Sequence, residues 1–332
     1  MMRKRKGYKV YPLTVAQKFH LYYLPFCPSA AVLNIGTSLT IEIDIDWDLL
    51  AKSINKAYAR SEGMRIRLAK DKEGTYYQYV VEPEEKEIEF VDFSSGTMEE
   101  AEATMQQWTT VPFKMEDSPL TRIVMIKMPD GFNGIYFLAH HMIVDAQSLI
   151  CFLRDIIELY CNEKYEGVPY PKEMTSYLEQ LEKDLAYEAG SKAQQRDIEF
   201  FQKEIEKGEP IYSGLRGTGK LEAAREMFKN PDLRTAFNAS DDTKSALDIF
   251  HLEEEPTKRL MDFCEKYHVS LACLLLMGLR TYLQKMNGFE DVSINNAIAR
   301  RATLKEKKCG GTRIHSFPIR TIFPEDMKFI DG

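Results

Sequence analysis

Residues 120–160 leave a chain like this few ways to fold. Two short runs rich in β-branched, aromatic and aliphatic residues, 120–128 and 134–140, flank Pro129-Asp130-Gly131, a pattern that predicts two strands and a turn. The second run passes through His140-His141-Met142-Ile143-Val144-Asp145-Ala146 and from Ser148 changes period. Leu149, Phe152, Leu153, Ile156, Ile157 and Tyr160 then recur at three-and-four spacing, one face of an amphipathic helix. A strand feeding straight into such a helix calls for layered α/β packing.

Successive side chains on a strand point to opposite faces. Ile135, Phe137, Ala139 and His141 therefore share one face, and Tyr136, Leu138 and His140 the other. Two histidines on opposite faces cannot easily converge on one ion, which argues against a metal centre. An imidazole displayed where a strand meets a helix can accept a proton from an incoming nucleophile. The plainer alternative is a satisfied core histidine at His141, with Asp145 capping the helix. The residue types alone leave both open.

The rest of the chain reads as follows. Residues 31–46 alternate at Leu39, Ile41, Ile43 and Ile45, and 47–60 turn helical on Leu49, Leu50, Ile54 and Tyr58. A strand pair is expected at Arg65–Leu68 and Tyr76–Val81, a helix over 97–108 and helical, charged sequence over 174–207. Residues 208–245 read as an irregular connection. A strand is expected from Ala246 to Leu252, a helix from Pro256 to Tyr267 with proline at its first position, and a Leu-rich central helix capped by Ser270. Strands at 291–296 and 314–323 complete the set. The expected division is an N-terminal lobe over 1–175, a helical and irregular connection over 176–245, and a partial C-terminal lobe over 246–332.

A net charge of −7 argues against nucleic acid as the main partner, and Arg3 to Lys6 reads as a solvated tail. No apolar run reaches the roughly 20 residues of a membrane span. Gln17, Lys18 and His20 break up any signal-peptide core. The scattered cysteines, with Cys151 and Cys264 in apolar helical patterns, fit a reducing cytoplasm. Gly214-x-x-x-x-Gly219-Lys220 lacks the hydroxyl and preceding strand of a phosphate loop. Asn238-Ala239-Ser240 is a glycosylation sequon without a secretory context, and Asp44, Asp46 and Asp48 read as an acidic helix start. Arg300-Arg301 with Lys305 to Lys308 reads as a solvated basic loop, with contact to an acidic carrier helix or a CoA phosphate as the minor alternative.

One set of short segments, taken in order, is similar to a known family. His140-His141-x-x-x-Asp145 resembles the HHxxxDG signature of the superfamily of nonribosomal peptide synthetase condensation domains and related acyltransferases. Tyr11-Pro12-Leu13-Thr14-x-Ala16-Gln17 resembles its opening motif. Arg60-x-Glu62-Gly63-Met64-Arg65-x-Arg67-Leu68 resembles its arginine-rich motif. Pro112-Phe113-Lys114 with Ser118-Pro119-Leu120-x-Arg122, and Phe317-Pro318-Ile319-Arg320, match later elements. Ala146 stands where glycine is usual, and His315 where asparagine is usual.

The resemblance implies two chloramphenicol acetyltransferase-like lobes facing a central tunnel, the second incomplete at its C-terminal end. It implies transfer of an acyl group from a phosphopantetheine or CoA thioester to an amine or hydroxyl acceptor, with no permanently bound cofactor. A carrier protein or acyl-CoA would be the partner. By the same resemblance His141 is the base or the orienting acceptor for the nucleophile, His140 supports the strand and the loop, and Asp145 pairs with Arg65 as a structural brace. A loop N–H would help hold an oxyanion, and Ala146, Gln147, Ser148 and His315 are tunnel-wall candidates. A non-catalytic binding module and a stand-alone CoA-dependent O-acyltransferase are the alternatives.

Overall fold

A computed structural model describes residues 4–234 and 248–331. The Asn238 sequon, and Ala246 and Leu247 at the start of the strand expected to reach Leu252, lie outside the described residues. Two compact units are present: residues up to Gln194 together with Ile298–His315, and Gln195–Ala297 together with Ser316 onward.

The first unit begins with a small hairpin, β1 (Lys4–Arg5) and β2 (Tyr8–Lys9), then β3 (Tyr11–Pro12) and α1 (Val15–Tyr23). There follow β4 (Asn34–Ile41), α2 (Trp47–Arg60), β5 (Ile66–Lys70), β6 (Tyr76–Val80), β7 (Glu89–Asp92) and α3 (Met98–Thr109). Next come β8 (Thr121–Lys127), β9 (Asn133–His140), α4 (Ala146–Lys164) and α5 (Tyr177–Glu188). The main sheet has the order β4-β9-β8-β7, antiparallel except for the parallel β7–β8 pair, and a smaller sheet has the order β3-β6-β5.

All eight residues of β9 are buried, because both faces of its sheet are covered. On one face Ile135, Phe137 and Ala139 pack with Ile54 and Ala57 of α2 and Phe152 and Ile156 of α4. On the other, Tyr136 and Leu138 pack with Ala101 and Met105 of α3. The alternation read from the sequence is thus two cores sharing one strand. Asp46 caps α2 through the Leu49 N–H, the job its acidic run suggests. Arg60, in the last turn of α2, is locked to α4 by a two-pronged pair with Asp155 at 2.9 and 3.1 Å.

The first unit runs past the boundary expected at residue 175. Tyr177 and Leu181 of α5 are buried with Leu13, Ile66, Leu68, Met142 and Ile143 in a third core, which holds α5 to this unit. The segment 298–315, with the one-turn helix α10 (Leu304–Lys307), also returns to it. Val144 bridges Gly311, and Thr175 bridges Cys309. Gly63 lies under this return: a Cβ there would meet the backbone N of Gly311 at 2.5 Å.

The unit boundary falls in the first turn of α6 (Lys192–Glu206). The second unit then holds α7 (Gly219–Phe228), α8 (Glu254–Tyr267), α9 (Leu271–Asn287) and the two-stranded sheet of β10 (Asp291–Ile298) and β11 (His315–Ile322). The described residues of the connection expected to be irregular over 208–245 thus contain one helix, α7. Residues 248–253 form no strand. Pro256 is the third helical residue rather than the first, tolerated because the first-turn N–H groups lack intrahelical partners anyway. Ser270 caps α9 as expected, but the helix is not central: Leu271, Leu275 and Leu279 stay 39%, 55% and 37% exposed, because no described element covers that face. Gly214 has both its N–H and its C=O taken by the Asn287 amide at 3.0 Å, so its backbone does not face a phosphate.

Phe137 is fully buried and its ring lies 5.3 Å from that of Phe152. Phe137→Ala is expected to lower the unfolding free energy by about 3–5 kcal/mol in a urea titration, the usual cost of emptying such a site. Val111→Ala, at a position 61% exposed, is expected to change it by less than about 0.5 kcal/mol.

Candidate active site

The strand β9 ends at His140, and α4 begins at Ala146, leaving five residues to turn the chain. The turn is held from inside. Met142, Ile143 and Val144 are fully buried, so the loop is pinned by apolar packing. The His141 N–H donates to Leu33 O at 2.7 Å, Ile143 N–H to His140 O at 3.0 Å, and Met142 N–H to His140 Nδ1 at 3.2 Å.

Because His140 Nδ1 accepts, the hydrogen-bond network assigns the proton of this neutral ring to Nε2. Burial, with His141 beside it, holds His140 down to about 4. It is 1% exposed and its Nε2 has no hydrogen-bond partner among the described residues. His140 is thus part of the loop's scaffold. His141 is less buried, its Nδ1 is inaccessible and unpartnered, and its ring lies 4.4 Å from that of His20 in α1.

Asp145 is the N-cap of α4: its Oδ1 accepts the Ser148 N–H at 2.9 Å, while Ser148 Oγ accepts the Asp145 N–H at 2.9 Å. The same carboxylate meets Arg301, whose Nη2 lies 2.9 and 2.8 Å from its two oxygens, and it accepts the Arg313 N–H at 2.9 Å. The two charged side chains are 1% and 3% exposed. The expected pairing of Asp145 with Arg65 is therefore corrected to Arg301. Arg65 instead donates to Tyr58 O at 3.2 Å and Ala59 O at 3.3 Å, at the C-terminal end of α2, and also to Val81 O just after β6, spending its charge on carbonyls. The reading of Arg301 as part of a solvated basic loop is corrected by the same contacts.

The tunnel-wall candidates differ in availability. Ser148 is 0% exposed and its hydroxyl is spent on Asp145, to whose carbonyl it donates at 3.0 Å, so it closes the turn rather than lining a wall. Gln147 donates to Lys307 O at 3.1 Å. Ala146 is exposed at the first position of α4. His315 is half-buried and accepts from Arg300 Nη1 at 3.0 Å; burial and the cations Arg300 and Arg313 hold it down to about 4. The N–H groups of His141, Met142, Ile143 and Asp145 are all spent within the unit and offer no donor to an oxyanion.

Sequence reasoning missed two contributors, Arg301 and His20. The first carried a signal of the wrong kind, since it sits in a basic run. The second appeared only as a polar break in an apolar stretch. Among the described residues no group of acids, cysteines and histidines is arranged to hold a metal ion, and no helix is long and apolar enough to cross a membrane.

The condensation-domain family profile matches residues 8–331. Surfactin synthase subunit 1 of Bacillus subtilis (strain 168) is 27% identical over 324 residues, which are 94% of this chain and 8% of that protein. Bacitracin synthase 1 of Bacillus licheniformis is 26% identical over 327 residues, 98% of this chain and 6% of that protein. The chain thus spans a small part of these relatives. The first condensation domain of the calcium-dependent antibiotic synthetase, in complex with a substrate analogue, superposes with a TM-score of 0.74 at 20% identity, covering 97% of this chain and 72% of that one. The starter condensation domain of rhizomide synthetase, in complex with C8-CoA, does so with a TM-score of 0.75 at 17% identity, covering 97% and 69%.

Two outcomes follow from the site's electrostatics. Asp145→Asn keeps a cap acceptor but strands the Arg301 charge in the interior, and is expected to cost about 3–5 kcal/mol in denaturant unfolding. Adding Arg301→Met to it should recover part of that loss. The second outcome concerns acid. His20, His140 and His315 have folded-state values below the ordinary 6.5, so on acidification the unfolded chain binds protons first. Stability is fully present above about pH 6.5 and is lost as pH falls toward 4, by up to about 1.4 kcal/mol per pH unit for a deeply buried ring such as His140. His140→Asn, which places an acceptor near the Nδ1 position, should flatten the slope of stability between pH 6.5 and 4.5 by about one proton.

Proposed function

The chain belongs to the condensation-domain family, and from that premise we propose that it is a condensation-type acyltransferase with His141 as its base. The acyl group would arrive as a thioester on phosphopantetheine or CoA, and the acceptor would be an amine or a hydroxyl. The observation that carries this reading is the division of labour in the turn after β9. His140 and Asp145 are consumed by the fold, and the more exposed His141 is left with an imidazole that no backbone or acid partner engages among the described residues.

In the proposed reaction the free ring nitrogen of His141 accepts a proton from the acceptor as the acceptor's N or O attacks the thioester carbonyl. The tetrahedral intermediate collapses with cleavage of the C–S bond. The departing thiolate takes the proton from the imidazolium, giving an amide or ester, a free thiol and the neutral histidine. Asp145 takes no proton in this scheme: its oxygens are engaged by Arg301, Arg313 and Ser148, and its work is to fix the loop. A carrier protein or acyl-CoA as donor source, and a cytoplasmic setting in keeping with six free cysteines, belong to the same proposal.

The test supplies an acyl thioester, both on a phosphopantetheinylated carrier and on CoA, with a panel of amines and alcohols. Wild type is expected to form amide or ester and release thiol. His141→Ala, folded by circular dichroism, is expected to lose about a hundredfold or more in kcat, the range of a general base. Equal product from both would overturn the assignment.

A further inference from the structure

Two glutamines lie inside the core of the first unit, Gln17 of α1 at 0% exposure and Gln78 of β6 at 1%. A buried amide is costly unless each of its N–H groups and its oxygen finds a partner. Here all of them do. Gln17 Nε2 donates to Gln78 Oε1 at 3.0 Å, and Gln78 Nε2 donates to Gln17 Oε1 at 2.8 Å, which closes an amide pair. Gln17 Oε1 also accepts the Thr14 N–H at 3.0 Å, within the capping box that starts α1. Gln78 Nε2 also donates to Pro12 O at 2.9 Å, and Gln78 Oε1 accepts from the Tyr177 hydroxyl at 2.6 Å.

One donor of the network is spent outside it. Gln17 Nε2 reaches Met142 O at 3.2 Å, in the residue that follows His141. The peptide joining Met142 to Ile143 is therefore gripped on both sides, its C=O by Gln17 and its N–H by His140 O. The two peptides before it are held at their N–H groups, by Leu33 O and by the His140 ring. Among the described residues Gln17 is the one side chain from outside residues 140–146 that bonds the backbone of residues 141–143. The buried side chains of Met142 and Ile143 fix the depth of the turn, but apolar packing has no direction. A hydrogen bond has one, and it sets the rotation of the peptide plane.

Resting on the reading of His141 as the base, we propose that Gln17 is its positioning residue, which holds the Met142 carbonyl and so fixes the backbone from which the imidazole projects. Gln17 is fully buried, takes no proton and acts only through the turn. The amide pair with Gln78 satisfies its second N–H, and Thr14 holds its oxygen, so the donor aimed at Met142 is set by α1 itself. The placement of His141 is thereby a property of two elements rather than one.

The experiment uses the whole chain, labelled with ¹³C at methionine carbonyls and ¹⁵N at isoleucine. Met125-Ile126 and Met142-Ile143 are the two places where methionine precedes isoleucine, so two coupled signals are expected, and Met142→Leu identifies the one from the turn. Gln17→Met keeps the length of the side chain and removes its donor. It is expected to move the Met142 carbonyl signal upfield and to lower kcat about tenfold, with KM within about twofold, as for a displaced general base. Gln78→Met is the control for lost buried polar contacts: it breaks the same amide pair but leaves Gln17 bonded to Thr14 and Met142. It is expected to lower stability in urea as Gln17→Met does, while the Met142 signal and kcat stay close to wild type. If Gln17→Met does not fold by circular dichroism, Gln17→Asn, one methylene too short for Met142 O, carries the same comparison. A folded Gln17 variant with wild-type kcat, or equal losses of kcat in Gln17→Met and Gln78→Met, would overturn the proposal and leave His141 as the base. A wild type that transfers no acyl group would overturn the reading of His141, and the role of Gln17 with it, whatever the carbonyl signal does.

Discussion

The pairing of Asp145 with Arg301 is the contact on which the candidate site rests. Two opposite charges, 3% and 1% exposed, have been taken out of water, which costs several kcal/mol for each ion unless the remaining polar atoms are also satisfied. Here most of them are. Asp145 adds the Ser148 and Arg313 N–H groups, and Arg301 adds the carbonyls of Glu306, Cys309 and Gly311. One carboxylate therefore closes the N-terminus of α4, the turn after β9 and the return of residues 298–315 at once. Burying an ion pair is weak evidence of net stability, but it is strong specification, because a slipped loop would leave one charge alone in the interior.

That specification explains how the two histidines come to differ. His140 lies at the last position of β9 and is taken into the scaffold by the Met142 N–H, with burial keeping it neutral. His141, one residue later, has left the strand while its backbone is still held by Leu33. Its side chain meets another imidazole, not an acid. The signature thus holds a buried acid whose charge is cancelled, a buried neutral histidine and one histidine with unspent nitrogen chemistry.

How much of this was legible in the sequence follows the range of each interaction. The helix at 47–60 and the alternation along 134–140 depend on neighbours within a few residues and were readable, and the cap at Asp145, equally local, was one of the two readings that the residue types left open. Arg301 lies 156 residues from Asp145, inside a run of arginines and lysines whose composition indicates solvent. Nothing local distinguishes the one arginine of that run that turns inward. Arg65 attracted the assignment because a family motif contains it, yet its guanidinium is drawn to the carbonyls ending α2. The Leu-rich α9 erred in the opposite direction. Apolarity tells which faces favour burial, and only the presence of a covering element decides whether they obtain it.

The departure at Ala146 can be judged on backbone grounds. Glycine is required where the chain adopts positive φ or where a Cβ would strike a neighbour. Ala146 meets neither condition: it is the first residue of α4, follows a cap at Asp145 in extended conformation, and is not among the residues of positive φ. Alanine has the highest intrinsic helix propensity, and at this position its methyl is exposed. The cap, the ion pair with Arg301 and the placement of His141 are all made by atoms other than the Ala146 side chain. A methyl there therefore leaves the turn's conformation intact, and any effect on function would act through the space outside the loop rather than through the loop itself.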